Sequence, residues 1–463
     1  MIIPMKLITE TFLIPFEDKY IFFAPKRNSF LALVNKEFAG IIQDFDRHKR
    51  SKDKSVRDAI SLLKSKKIIG YVKDKPLKPK IPKKVEPDML TIMPTLDCNF
   101  RCVYCYARGG DKKRHIDMGL AKKSFDMLLD SCRKKGVKKT ELMFHGGGEP
   151  FLESNWDFIE QFIGYAERQS KEKGIEVSMN GITNGYLSKK QIDFIVKHFE
   201  HLTISMDGPK EFQDSTRFYL DEAGNLKGSF EKVMATIKEF DRQGFGYGFR
   251  VTLSAKAAEK FSDVVDFFMN DTKSTGINVE PIYNWGRQTS TKIQGPELED
   301  FAKQFVEQKF RAAKRRFSLT CGLLSFNRMK TTWCGACGRT MCVTPENIVT
   351  SCIEVCNKDD PRADTYVYGK YDLVKGKFDF DMKKLQNLAK RHVSNLPGCN
   401  GCFAKYFCAG GCPAKMNGNI FDIETSQTCV MNKKIIEHYL KRLVMEKDPE
   451  VIDFLRAKQV NSC

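Results

Sequence analysis

Residues 98–105 read CNFRCVYC, three thiols separated by three and then two residues. A structural zinc site takes four protein ligands, commonly from two paired knuckles. Here a partner knuckle would have to come from far along the chain. An iron–sulfur cube held by three cysteines keeps one iron free for another ligand, and the flanking sequence bears on which reading applies. The loop follows an apolar run, LTIMP (90–94). Further runs follow: ELMF (141–144), IEVSM (175–179), HLTISM (201–206), YGFRVTL (247–253) and INVEPIY (277–283). Between them lie stretches with apolar residues at helical spacing, such as GLAKKSFDMLLDSCRKK (119–135) and FEKVMATIKEFDRQ (230–243). Six strand–helix repeats predict a parallel sheet with helices outside, too few for a complete eight-fold barrel. A site belongs at the C-terminal ends of such strands, where HGGGEP (145–150), TNG (183–185) and SMDGP (205–209) directly follow them.

The bulk composition narrows the class. With 463 residues, 41% of them hydrophobic and 35 phenylalanines, the chain can fill two or three packed domains. No run of 18 uncharged apolar residues occurs, so no membrane span is expected. The first twenty residues lack a secretory layout, and 16 cysteines in such a chain point to metal or redox chemistry in the cytoplasm. The net charge of +19 is concentrated before residue 85 and reads as a solvated surface or a face for an acidic partner. Nucleic-acid binding would interleave basic groups with aromatic platforms, and the glycine loops argue against it.

Punctuation divides the chain. KDKPLKPKIPKKVEPDM (73–89), with four prolines, is an extended linker. Before it, YIFFAP and FLALVN read as strands, and KEFAGIIQDFDRHKR and SVRDAISLLKSKKII as helices. From Cys321 the strand–helix rhythm stops and cysteines crowd among Gly- and Asn-rich turns. Such a segment needs something covalent to organise it. A final helix is expected over about Lys433 to Lys458. The expected units are therefore 1–72, the linker 73–89, a barrel over 90–318, a cysteine-rich module over 319–432, and a helix and tail over 433–463.

Cys98, Cys102 and Cys105, together with Gly147–Pro150 after the next strand, resemble the radical S-adenosylmethionine (SAM) superfamily. The resemblance implies an α/β fold built on a partial (β/α)6 TIM barrel. It also implies a [4Fe–4S] cluster whose fourth iron is chelated by SAM, and reductive cleavage to a 5′-deoxyadenosyl radical that abstracts hydrogen. Carried over by motif, Gly147, Gly148 and Glu149 face the SAM amine and Tyr104 packs near adenine. Asn184 in TNG, Ser205 in SMDGP and Arg217 in DSTR are further SAM-facing positions, the guanidinium suiting a carboxylate.

CNGCFAKYFCAGGCP (399–413) spaces four thiols as C-x2-C-x5-C-x3-C, with Cys429 beyond and CGACGRTMCVTPENIVTSC (334–352) upstream. This resembles the SPASM extension of peptide-modifying radical SAM enzymes, although a zinc-ribbon filling is the alternative. The resemblance implies two more [4Fe–4S] clusters, three in all. Cys399, Cys402, Cys408 and Cys429 would hold the outer one, and Cys334, Cys352 and Cys412 the inner one. Cys337 completes the inner set, with Cys342 as fallback, unless the cluster keeps an open iron for a substrate thiolate. Two positions depart from the pattern. Asn347 replaces the usual glycine, and Ile353 stands where the related anaerobic sulfatase-maturing enzymes have a basic aspartate, leaving Glu354 as the candidate base. Cys132 reads as a core thiol, and Cys321, Cys356 and Cys463 as thiols without a role.

The layout of residues 1–72 resembles the small winged-helix-like α+β domain by which such enzymes bind a leader peptide as an added strand. The combined expectation is an enzyme acting on a ribosomally made precursor peptide. It would give a thioether, C–C or C–O crosslink or an oxidised side chain, with flavodoxin or ferredoxin as reductant. Formylglycine formation of the sulfatase-maturing type is one alternative. A non-catalytic Fe–S or zinc nucleic-acid binder is the alternative of another class.

Overall fold

The structure, a computed structural model, describes residues 5–283, 285–322, 324–326, 328–416, 418–424 and 426–457. Cys463 and the end of the expected tail lie outside these. The first unit runs β1 (Lys6–Leu7), β2 (Phe12–Phe16), β3 (Lys19–Ala24), β4 (Phe30–Val34), three helices (Lys36–Gln43, Phe45–His48, Lys54–Ser65) and β5 (Ile69–Gly70). β2, β3 and β4 form an antiparallel sheet, and β5 pairs with β1. Asn35 and Asp53 cap the first and third helices by accepting from first-turn N–H groups, which fixes where each begins.

β3 explains why YIFFA is apolar without alternation. Phe22 and Ala24 face the unit's own helices, joining Ile42, Phe45 and Leu63. Ile21 and Phe23 point the other way, into the large core shared with the rest of the chain. Phe23 stacks on Phe407 with ring centroids 5.7 Å apart, each fully buried side chain contributing about 2–3 kcal/mol. Glu10, between β1 and β2, accepts from Lys405 and Tyr406 and pairs with Lys26 at 3.1 Å. Burial alone would raise its carboxyl, yet these donors hold it below the usual range. The unit is thus clamped onto the helix that carries Cys408.

The linker, tied down where Gln386 donates to the Pro82 carbonyl at 3.1 Å, leads into the main sheet. Its strands are β6 (Met89–Ile92), β7 (Lys139–Phe144), β8 (Glu176–Thr183) and β9 (His201–Ser205). A separate hairpin, β10 (Phe218–Leu220) and β11 (Leu226–Gly228), precedes β12 (Tyr247–Leu253), β13 (Gly276–Pro281) and β14 (Ser318–Cys321). Then come β15 (Thr340–Val343), β16 (Ile348–Thr350), β17 (Val367–Asp372) and β18 (Lys377–Phe380). The order is β14-β13-β12-β9-β8-β7-β6-β15-β16-β17-β18, parallel from β14 through β15 and antiparallel beyond. All six expected strands are present, and the class is the α/β one expected.

Three details differ from the sequence reading. β14 is a seventh parallel strand, and the boundary expected at 318/319 falls inside it. SLTC alternates and is only four residues long, so it carries no long apolar run to read. The sheet also does not stop where the cysteines begin, because β15 hydrogen-bonds β6 from Thr340 to Val343. The single closing helix is two, Gln427–Met445 and Pro449–Arg456. Pro449 cannot continue a helix but suits a first turn, and Asp448 caps that turn. The earlier start brings Cys429 into the first turn of the longer helix, which packs along Leu298–Lys314. Among the described residues no helix is long and apolar enough to cross a membrane.

Candidate functional site at the strand ends

The loops after β6 and β7 meet backbone to backbone. Gly148 N–H donates to the Thr95 carbonyl at 3.2 Å and Glu149 N–H to the Asp97 carbonyl at 2.9 Å. A Cβ on Gly148 would lie 1.9 Å from the Asp97 carbonyl oxygen, and one on Gly147 would lie 2.8 Å from Cys356 Sγ. Only glycine lets the second loop seat against the cysteine loop. From the other side Arg287 clamps that loop, donating to the carbonyls of Cys102 (3.0 Å) and Gly109 (3.1 Å) and pairing with Asp111 at 2.7 Å. The sequence reading missed Arg287, because it lies in a loop nearly two hundred residues away with no motif around it.

Glu149 is turned inward. One carboxylate oxygen accepts from Thr183 Oγ1 (2.8 Å) and Phe151 N–H (3.2 Å), the other from Asn184 N–H at 2.6 Å. Burial pushes its carboxyl up to about 7 despite these donors. Three of the roughly four lone-pair sites of this carboxylate are taken by Phe151, Thr183 and Asn184, so the contacts it makes hold TNG in place. Asn184, so positioned, donates to Asn99 Oδ1 at 2.8 Å and faces Cys98 Sγ at 3.9 Å. Ser205 ends β9, level with Arg250 on β12.

Tyr104 and Arg217 form a network with Asp207, the residue inside SMDGP that the sequence reading passed over. The Tyr104 hydroxyl donates to Asp207 Oδ2 and accepts from Arg217 Nη1 at 2.8 Å, and Thr216 donates to the same carboxylate oxygen at 2.7 Å. Arg217 is buried, and its Nε has no partner among the described residues. Its charge draws the Cys102 thiol downward while burial holds that thiol up at about 11.

The thiols fall into three groups that act on one another electrostatically. Burial pushes Cys98 well up, and Glu149, Cys102 and Cys105 add to it. Cys334 is raised by burial, then by Cys337 and Cys412, and Cys352 by burial, Glu354, Cys412 and Cys334. Cys399 and Cys408 are both pushed up to about 12, by burial and then chiefly by Cys402, with Cys429 in the same group. Among the described residues no three of these side chains converge as a single ion at about 2.3 Å from each sulfur would require. Buried thiols that disfavour each other's ionisation want positive charge among them. Cys337 stands with the inner group. Cys342 does not: it lies in β15, fully buried, in an apolar cluster with Met93, Leu96 and Cys356. Asn347 has φ +59°, the left-handed turn that a glycine would otherwise supply.

Glu354 does not present a base. Its carboxylate bonds Arg362 Nη1 at 3.0 Å and Lys415 Nζ at 3.4 Å. Burial opposes its charge, but Lys415 and Arg362 hold it below the usual carboxylate range. The candidate base is thus corrected to the centre of an ion cluster beside Cys352 and Cys412. Lys415 also sits 3.8 Å from the centroid of Tyr283, within the fields of Glu280 and Arg250. Those two pair at 2.6 Å between the middle of β12 and the end of β13. A lone charge in each apolar strand, the Arg of YGFRVTL and the Glu of INVEPIY, was the signal available for them. Half-buried Tyr106 links the two loops, its hydroxyl donating to the Gly146 carbonyl at 3.3 Å; desolvation raises that hydroxyl, and the fields of Cys356, Glu354, Cys105 and Cys352 add to it.

The radical SAM superfamily profile matches residues 92–268. A cysteine-type anaerobic sulfatase-maturating enzyme of Clostridium novyi is 24% identical over 352 residues, 70% of this chain and 89% of that one. A GTP 3′,8-cyclase of Rhizobium leguminosarum is 30% identical over 241 residues, 50% of this chain and 60% of the cyclase. Among solved structures, native anSMEcpe with bound AdoMet and Cp18Cys peptide matches at TM-score 0.58 and 19% identity, over 77% of this chain and 98% of that one. SuiB of Streptococcus suis bound to precursor peptide SuiA matches at 0.51 and 13%, over 90% of this chain and 98% of that one. The matched span covers both loops of the cradle and the network behind them, so the chain carries a radical SAM domain, residues 92–268, within a radical SAM fold that extends beyond it.

Proposed function

We propose that the chain is a radical SAM maturase acting on a peptide. Cys98, Cys102 and Cys105 would hold the first [4Fe–4S] cluster. Cys334, Cys337, Cys352 and Cys412 would hold an inner auxiliary cluster, and Cys399, Cys402, Cys408 and Cys429 an outer one. When bound and reduced by one electron, SAM at the first cluster supplies a 5′-deoxyadenosyl radical able to take hydrogen from an unactivated carbon. The chain's own residues bind, orient and shield. Gly147 and Gly148 let backbone approach the ligand, Glu149 fixes Asn184, and Tyr104, Ser205 and Arg217 line the approach. A flavodoxin- or ferredoxin-type reductant fits the electron requirement.

One observation carries the reading: the two motif loops abut the cysteine-rich segment, Tyr106 donating to the Gly146 carbonyl at 3.3 Å while a Cβ on Gly147 would lie 2.8 Å from Cys356 Sγ, four residues after Cys352. The Arg250–Glu280 and Lys415–Glu354 pairs border the same region. A peptide side chain reaching this space would meet radical chemistry on one side and a redox-active cluster on the other. Residues 1–72 would take the leader along a free sheet edge, as in β-augmentation. Support comes from the match to a structure solved with a precursor peptide, which spans 90% of this chain against 77% for anSMEcpe.

Formylglycine formation on a sulfatase is the second reading, favoured by the sulfatase-maturating relative. Ile353 and the doubly paired Glu354 count against it, since neither offers a free base. The test is anaerobic reconstitution and reduction with SAM, alone and then with each peptide type. 5′-Deoxyadenosine release without added peptide is expected. Loss of two hydrogens from a precursor peptide supports maturation, and an aldehyde on a sulfatase cysteine supports the second reading. No 5′-deoxyadenosine from iron-loaded protein defeats both.

A further inference from the structure

Arg391 Nη1 and the Tyr366 hydroxyl are among the buried polar atoms of the cysteine-rich segment that have no partner among the described residues. Each side chain is only 1% exposed. Arg391 turns inward just after the helix Met382–Ala389. Its Nε donates to the Ile420 carbonyl at 2.8 Å, and its Nη2 donates to the Gly410 carbonyl at 2.9 Å and faces Met416 Sδ at 3.5 Å. Two carbonyls and a thioether fix the guanidinium's position, yet none of them carries charge. A buried cation without a counter-charge is strongly unfavourable, so this interior calls for an anion.

Gly410 shows which thiol lies nearest. A Cβ built there would meet Leu396 Cδ1 at 2.4 Å and would lie 3.6 Å from both Arg391 Nη2 and Cys399 Sγ, so guanidinium and thiol flank the same glycine with Leu396 between them. Ile420, whose carbonyl takes Arg391 Nε, packs in one cluster with Cys352 and Tyr366, with Cys334 and Cys412 against it. Met416, which faces Nη2, packs with Leu396 and Cys399. Arg391 therefore stands between the outer and inner thiol groups.

We propose that Arg391 is the internal counter-cation of the auxiliary centres, its free Nη1 hydrogens donating to a sulfur of the outer cluster and raising that cluster's reduction potential. The proposal rests on the cluster assignment made above. A four-iron cube with four thiolates is net negative, and reduction makes it more so. An adjacent cation and N–H···S bonds favour the reduced form. Arg391 thereby becomes a tuning residue for electron passage between the two centres.

The test uses full-length protein reconstituted anaerobically, with Cys98, Cys102 and Cys105 changed to Ala so that only auxiliary clusters are observed. Midpoints come from EPR-monitored redox titration of Arg391→Gln and Arg391→Lys. In Arg391→Gln the reduced-to-oxidised ratio of one cluster at fixed poise should fall at least tenfold, ~59 mV for one electron, and in Arg391→Lys by less. Unchanged midpoints at unchanged iron content would overturn the proposal. Iron lost from Arg391→Gln but kept in Arg391→Lys supports a required counter-cation. Should both lose iron, parent protein labelled with guanidino-15N arginine decides. A 15N coupling on a reduced auxiliary cluster that survives Arg362→Lys supports the proposal, and its absence overturns it. Parent protein without auxiliary iron would remove the cluster assignment, and this proposal with it.

Discussion

Lys309→Met should stabilise the protein below pH 7 and flatten its pH dependence. Lys309 lies in the helix Leu298–Lys314 and is 1% exposed. Its Nζ donates to the Leu319 carbonyl at 2.8 Å and sits 4.5 Å from the centroid of Phe326. Burial pushes its ammonium down from 10.5 to about 7, with Cys321 opposing weakly. At 1.36 kcal/mol per tenfold change in proton affinity, that interval is a penalty of about 4–5 kcal/mol. The depressed value means the unfolded chain binds the extra proton between pH 7 and 10.5, so stability rises with pH across that window. The penalty is complete below about 7 and gone above 10.5. Methionine fills the same space without the charge but leaves the Leu319 carbonyl without its donor, a loss of about 1–3 kcal/mol. The net gain at pH 6.5 is about 2 kcal/mol, and it reverses at high pH, where only the lost hydrogen bond remains. Anaerobic urea unfolding midpoints of parent and variant at pH 6.5, 8 and 9.5 would show the two stability curves crossing. A variant equally destabilised at all three values would refute the argument.

Three further outcomes follow from the packing. Cys337→Ala should remove or visibly alter one auxiliary cluster in the resting EPR spectrum, whereas Cys342→Ala should keep the parent's iron content. The reverse pattern would exchange their roles. Gly148→Ala should abolish iron binding at the first loop, because its Cβ would stand 1.9 Å from the Asp97 carbonyl oxygen. Retention of about four irons there, measured with the auxiliary thiols removed, would contradict that seating. Deleting residues 1–72 should spare 5′-deoxyadenosine release while weakening binding of a leader-bearing peptide at least tenfold. Equal binding by the truncated chain would remove the leader-docking role.

The sequence alone determined what local spacing can determine. Three thiols on one loop, the glycine loop after the next strand and the C-x2-C-x5-C-x3-C run are each contiguous, and contiguous residues need no fold to stay together. Period and punctuation likewise located six parallel strands, because an apolar run closed by Gly or Pro is a local signal. Asn347 was readable as a left-handed turn for the same reason, and has φ +59°. Tertiary structure decided everything set by approach between distant segments. Spacing favoured Cys337, three residues from Cys334, but left Cys342 as a fallback; β15 pairing with β6 buries Cys342 in an apolar layer and leaves Cys337 among the inner thiols. Glu354 looked like a free base until Arg362 and Lys415 arrived from farther along the chain to pair with it. Glu149 read as a ligand for an amine, and only the fold shows that TNG, 34 residues on, also bonds both of its oxygens. A charge in a sequence shows only what it could bind. The fold chooses its partner, because burial leaves a charged group no solvent to fall back on and each must be met by whatever the packing brings within about 3 Å.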